Sequence, residues 1–316
     1  MVRIGVRVLL AIAVGAALPV PISIGVATAL AKVARDAQFV DNCLREGREK
    51  ARASPKKLLI VAGSNAGSGI SAEQLSRRLN ISVVNVGCHA GLGRRYILHY
   101  AREILQPGDL VLLPLEYNLY MPDSPWHTKN LHVLAHDRAY LLDAGFIERL
   151  QLLYGSDVTY WLSQLAAARR SAATIHTSST AGTQHQESQV GVELAQLEAR
   201  LKREHVPYDL VADESIQELT AFANFVESRG GHVAVTFPNI LGAVMQSPAD
   251  TAYLSDMQQK LASAGLTILG APEGAFFGIE EMDDTIYHVL VGGRTRNTER
   301  LALDLEQSGL LRYLRK

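Results

Sequence analysis

A chain of 316 residues suits one large domain or two small ones, and at 47% hydrophobic and 20% charged it can bury a sizeable core. The net charge of -1 gives no support to a nucleic-acid partner, which needs a concentrated basic surface. Two cysteines, Cys43 and Cys88, exclude a disulfide framework and argue against a zinc cage. They are either two free thiols or one bridge.

Arg3 and Arg7 precede "VLLAIAVGAALPVPISIGVATALA", which carries no charge until Lys32. A basic start before a long apolar run is an export signal or a membrane anchor. The run is long enough to span a bilayer, for which ~20 apolar residues suffice. Pro19 and Pro21 would kink it, and Ala29–Ala31 offers a small-residue cleavage site. Residues 1–31 are therefore expected to be a signal peptide or an anchor. Either places the rest in the periplasm or another extracytoplasmic space, anchored to the inner membrane or secreted. Residues 32–56 are polar and read as a helical spacer.

Strand-like runs follow: "KLLIVAG" (57–63), "SVVNVG" (82–87), "DLVLLPLEY" (109–117), "HVAVTFPN" (232–239) and "LTILGA" (266–271). The first and third are apolar on both faces rather than alternating, as parallel strands covered on both sides are. Helix-like stretches separate them, and this alternation predicts an α/β fold. The expected form is a doubly wound, flavodoxin-like parallel sheet of five strands in the order 2-1-3-4-5 over residues 57–316. Residues 121–213 interrupt the rhythm with two amphipathic stretches, "RAYLLDAGFIERLQLLYG" and "VTYWLSQLAAARR", and a polar run, "SAATIHTSSTAGTQHQESQ". They read as a helical insertion with a mobile loop. "PDSPWHTKNLH" before them reads as a loop, in which Trp126, His127 and His132 either line a sugar pocket or have no function.

The first strand stops at Gly63-Ser64. "GSNAGSGIS" has no lysine for a phosphate loop and the wrong glycine spacing for a dinucleotide fingerprint. A nucleophile at the carboxyl edge of the sheet fits better, with small neighbours Gly63, Ala66 and Gly67 leaving room for substrate. The plainer alternative is a helix cap. Near the C-terminus, "EEMDDTIYHVLVGGRTRNTERLALDL" sets His288 four residues after Asp284. In a helical turn the two side chains would share a face. An Asp that orients an imidazole, which deprotonates a serine, is the logic of a catalytic triad. Glu116 ends the third strand and reads as a partner for Arg94 or Arg95, or as a residue ordering the site. Asn65 suits the turn beside Ser64, and Asn239 faces the same edge as a substrate contact or a turn residue.

These blocks resemble the SGNH (GDSL-like) hydrolase superfamily. They look most like its divergent membrane-associated members, the relatives of DltD and of the alginate and cellulose acetylation proteins. "AGSNAGSGI" puts Ser64 on the nucleophile, "NVGCHAGLG" puts Gly87 on an oxyanion donor, and "DDTIYHVLVGGRTRNTERL" puts Asp284 and His288 on acid and base. "LLPLEYNLY" occupies the third block, with Asn118 as the nearest asparagine for a further oxyanion donor. The chain departs from the family in having Gly-Ser-Asn for Gly-Asp-Ser, and Asp283 remains an alternative acid. The resemblance implies a catalytic set of Ser64, Asp284 and His288, with oxyanion donors Ser64, Gly87 and Asn118, no metal and no cofactor. It implies an extracytoplasmic serine esterase or O-acyltransferase acting on a cell-envelope polysaccharide or exopolysaccharide such as cellulose. The expected partners are the carbohydrate polymer or an acyl donor and a membrane-bound acyltransferase. The alternative is a non-catalytic accessory or binding module of a polysaccharide synthesis and export complex.

Overall fold

The computed structural model describes residues 19–32, 35–122, 127–154, 186–202 and 211–315. The chain divides into two compact units, residues 1–42 with 124–180, and residues 43–123 with 181–316.

The larger unit is an α/β fold on a five-stranded parallel sheet. Its strands are β1 (Leu58–Ile60), β2 (Val83–Asn85), β3 (Leu110–Leu113), β4 (His232–Thr236) and β6 (Thr267–Leu269), ordered β2-β1-β3-β4-β6. The register sets Leu59 between Val84 and Val111, Leu112 beside Ala234, and Val235 beside Ile268. Two short strands, β5 (Ile240–Leu241) and β7 (Phe276–Phe277), pair separately and also in parallel. Leu58–Ile60 and Leu110–Leu113 are fully buried. Successive strand residues point to opposite faces, so both faces are covered, which is why these segments are apolar throughout. The expected strand order holds. The order reverses between β1 and β3, and in open α/β sheets ligands bind beyond the carboxyl ends of the strands at such a switch point.

At the opposite, amino edge, one ion pair joins the same two strands. Lys57 Nζ donates to Asp109 Oδ2 at 2.8 Å, and both side chains are wholly buried. Asp109 also accepts from the Lys57 and Gln106 amides, at 3.0 and 2.8 Å. The carboxylate is thus satisfied by three donors, as a buried charge must be.

The polar stretch expected as a spacer is a helix, Arg35–Ala53, and its later turns pack into the sheet unit. Tyr100 donates its hydroxyl to Leu44 O at 2.6 Å, and Ala51 is fully buried.

In the smaller unit, the Pro19–Ala31 helix packs on helices His127–His136 and Phe146–Tyr154. The stretch read as one helix from Arg138 breaks at Ala144-Gly145 into Arg138–Asp143 and Phe146–Tyr154. Arg149 fills the break, donating to Leu141 O at 3.1 Å and Ala144 O at 2.9 Å. The segment expected as a loop with His127 and His132 is helical from His127, and His132 is buried. Its neighbour Lys129 donates to buried Glu148 at 3.2 Å, so this face is core and not pocket wall. Trp126, "VTYWLSQLAAARR" and most of the polar run lie outside the described residues, as do residues 1–18. The chain resumes in an unexpected helix, Gln186–Leu201. Among the described residues no helix is long and apolar enough to cross a membrane.

Asp109→Ala is expected to cost about 3–5 kcal/mol, because it strands the Lys57 ammonium in the interior. The paired change Lys57→Met with Asp109→Leu is expected to cost much less. Urea unfolding of the three proteins reads both.

Candidate active site

The loop after β1 is organised by one carboxylate. Ser64–Gly69 forms a short helix directly at the strand's end. Glu116, just beyond β3, accepts from Gly63 N through Oε2 at 3.0 Å and from Asn65 N through Oε1 at 3.1 Å. It therefore straddles Ser64 and holds the amides on either side. Asn65 adds a bond from Nδ2 to Pro114 O at 2.7 Å. Ser64 itself is half-buried, and neither its N–H nor its Oγ has a hydrogen-bond partner among the described residues.

Glu116 is 1% exposed. Burial pushes its carboxyl above the ordinary value of 4.5, against the opposing pull of its hydrogen bonds and of His288 nearby. The expected pairing with Arg94 or Arg95 is not made. Arg94 Nε donates to Glu218 at 2.7 Å, and Arg95 binds Glu218 and Glu214. The small neighbours of Ser64 serve packing more than access. A Cβ on Gly63 would meet the Glu116 carboxylate and, at 2.7 Å, Ala90 N, while Ala66 is fully buried.

Gly87, expected as an oxyanion donor, gives its N–H to Asn85 Oδ1 at 2.9 Å. The reason lies in Asn85, whose Nδ2 is tied to Ala66 O at 2.7 Å and Ile70 O at 3.0 Å. That side chain pins the Ser64 helix to the end of β2 and takes the Gly87 amide with it. Gly87 lies against the same helix, where a Cβ would come within 2.7 Å of Gly67 N. Asn118 stands two residues past Glu116 on the same edge, half-buried, with its Oδ1 buried and unpartnered.

Asp284 Oδ1 lies 2.7 Å from His288 Nδ1. The proximity does not come from a helical turn. Residues 282–289 form a tight hairpin, closed by an antiparallel bridge between Met282 and Val289 and by Asp283 N donating to His288 O at 2.9 Å. Thr285 Oγ1 accepts from the amides of Tyr287 at 3.2 Å and His288 at 3.1 Å, which folds Asp284 back onto the ring. Asp283 contributes its backbone to this hairpin, and Asp284 contributes the carboxylate. The bond to Nδ1 leaves Nε2 as the ring atom free to take a proton. Asp284 is 65% exposed and His288 22%, so water screens the pair.

Side chains from three other segments hold the hairpin near the Ser64 helix. Asn239 Nδ2 donates to Tyr287 O. Asn297 Nδ2 donates to Gly69 O at 3.0 Å and lies 3.4 Å from Asn239 Oδ1. Arg294 donates to Ser68 O, and Arg200 Nη2 donates to Asp284 O at 3.1 Å. Asn239 is thus fully buried structure and not an exposed substrate contact. Asn85 and Asn297 were not singled out from the sequence. The signal for Asn85 was a polar residue at the carboxyl end of an apolar strand.

No family model matches the chain, and no curated protein does. Among solved structures it is similar to LAE5, an alpha/beta hydrolase enzyme from the metagenome of Lake Arreo, Spain. That match has 11% identity and a TM-score of 0.40, over 82% of this chain and 97% of the other. At that score the likeness carries no argument about the site.

Glu116→Ala is expected to destabilise by about 1–3 kcal/mol, since the Gly63 and Asn65 amides then lose their acceptor. Burial raises Glu116 in the folded chain, so the folded state holds its proton more tightly than the unfolded one. The contribution of Glu116 is therefore fullest below 4.5 and falls as pH climbs through the raised value. Urea unfolding across pH should show the gap between wild type and variant narrowing as pH rises. A gap that widens contradicts this assignment.

Proposed function

We propose that the chain is a serine hydrolase or acyl-transfer enzyme with Ser64 as nucleophile, His288 as base and Asp284 as the group that orients the base. The observation that carries the reading is the Asp284–His288 contact of 2.7 Å, beside a carboxylate that clasps the amides flanking Ser64. His288 Nε2 takes the Ser64 hydroxyl proton as Oγ attacks an ester carbonyl. The Ser64 N–H meets the developing oxyanion, where one donor is typically worth ~3 kcal/mol. Asn118 Nδ2 is the second donor, in place of Gly87. His288 then returns the proton to the leaving alcohol, and water or a sugar hydroxyl resolves the acyl-enzyme.

The resemblance of the sequence blocks to the SGNH acylation proteins supports an acetyl ester on a cell-envelope polysaccharide or exopolysaccharide such as cellulose as the substrate. It also supports a membrane-bound acyltransferase as partner. The basic, apolar N-terminus supports an extracytoplasmic location. A second reading, a non-catalytic accessory module of a polysaccharide export complex, is favoured by the unpartnered Ser64 hydroxyl and the engaged Gly87 amide.

Hydrolysis of p-nitrophenyl acetate separates the two. Ser64→Ala and His288→Ala should each remove nearly all turnover, and the double variant should lose little more, because nucleophile and base act as one unit. Asp284→Asn should be milder, since its carboxylate is largely in water. A folded Ser64→Ala protein with wild-type turnover leaves the accessory reading standing.

Alkaline phosphatase fused after Lys57 should be active in a bacterial host if the domain is exported. Inactivity of a well-expressed fusion argues against it.

A further inference from the structure

The two cysteines lie far apart in sequence and together in space. Cys43 sits on the Arg35–Ala53 helix and is half-buried, and Cys88 sits buried in the loop after β2. Cys43 Sγ lies 3.8 Å from Gly87 O, the carbonyl directly before Cys88, so the two thiols sit beside each other. The packing around them fixes this approach. Leu44, the next residue, accepts the Tyr100 hydroxyl at 2.6 Å. One turn beyond Cys43, a Cβ on Gly47 would meet Tyr100 Oη at 2.7 Å and Val86 Cγ1 at 3.1 Å. The helix thus lies against the β2 strand end because position 47 has no side chain.

We propose that Cys43 and Cys88 are a redox-active dithiol that closes to an intramolecular disulfide by exchange with a small-molecule disulfide. The two thiols are chemically unequal. The neighbouring Cys88 thiol lowers Cys43, with burial and Glu46 opposing and Lys50 assisting. Cys88 is pushed up by Cys43 and by burial. Cys43, half-buried where Cys88 is only 2% exposed, is the thiol that a small molecule can reach, so it is the attacking thiolate and Cys88 the resolving thiol. The Cys43 thiolate attacks one sulfur of the small disulfide and displaces a thiolate, leaving a mixed disulfide. Cys88 then gives up its proton, attacks Cys43 Sγ and displaces the second small thiolate. Two protein thiols are oxidised, and one small disulfide is reduced to two thiols. The inference is independent of the hydrolase reading.

The test uses reduced full-length protein and oxidised glutathione under native conditions, followed by acid quench, denaturation, alkylation and intact mass. Wild type should lose both alkylatable thiols and carry no glutathione. Cys88→Ser should trap one glutathione, mapped to Cys43, and Cys43→Ser should keep Cys88 alkylatable. The wild-type measurement decides even if a serine variant misfolds. Two thiols still alkylatable, a persistent glutathione adduct, or a disulfide-linked dimer on a non-reducing gel would each overturn the proposal.

Discussion

The site depends on one buried carboxyl group, that of Glu116. Glu116 is placed by the end of β3, where Pro114 and the following turn send its carboxyl back across the sheet toward β1. Taking a carboxylate out of water costs several kcal/mol unless donors replace the lost hydration. Here the donors are the two amides around Ser64. The bond works in both directions: the amides satisfy the buried oxygens, and the carboxyl decides where those amides, and so Ser64, must sit.

The other half of the site rests on neutral amide side chains. Asn85 bridges the backbone of Ala66, Ile70 and Gly87, while Asn239 and Asn297 each donate to one carbonyl, of Tyr287 and of Gly69. Each is a short, rigid side chain with donor and acceptor on one planar group, suited to irregular backbone. They bring a hairpin from the last tenth of the chain against a helix that starts at Ser64. The acid–base pair inside that hairpin needs only local bonds, through Thr285.

What was legible in the sequence follows from this division. The buried strands Leu58–Ile60 and Leu110–Leu113 announced themselves because two-sided burial leaves no polar position, and the strand order followed. Ser64, Asp284 and His288 stood out because their neighbours form short local patterns. Glu116 reads from the sequence either as an arginine's partner or as a residue ordering the site, and only the structure shows which, since periodicity reports burial and not which backbone amide a side chain will meet. The hairpin was read as a helical turn because a spacing of four places side chains together in both. Gly87 was taken for a free donor because nothing in "NVG" reveals that Asn85 folds back two residues to claim its amide.

The distances along the chain between these partners have a consequence during synthesis. Ser64 and Glu116 emerge from a ribosome well before Asp284, His288, Asn297 and Thr298, and Ser71 N donates to Thr298 Oγ1 at 3.0 Å in the finished fold. A nascent or truncated chain therefore carries the serine without the base. The proposed triad therefore assembles only once the chain has been made past the hairpin and Asn297, a timing set by chain order alone.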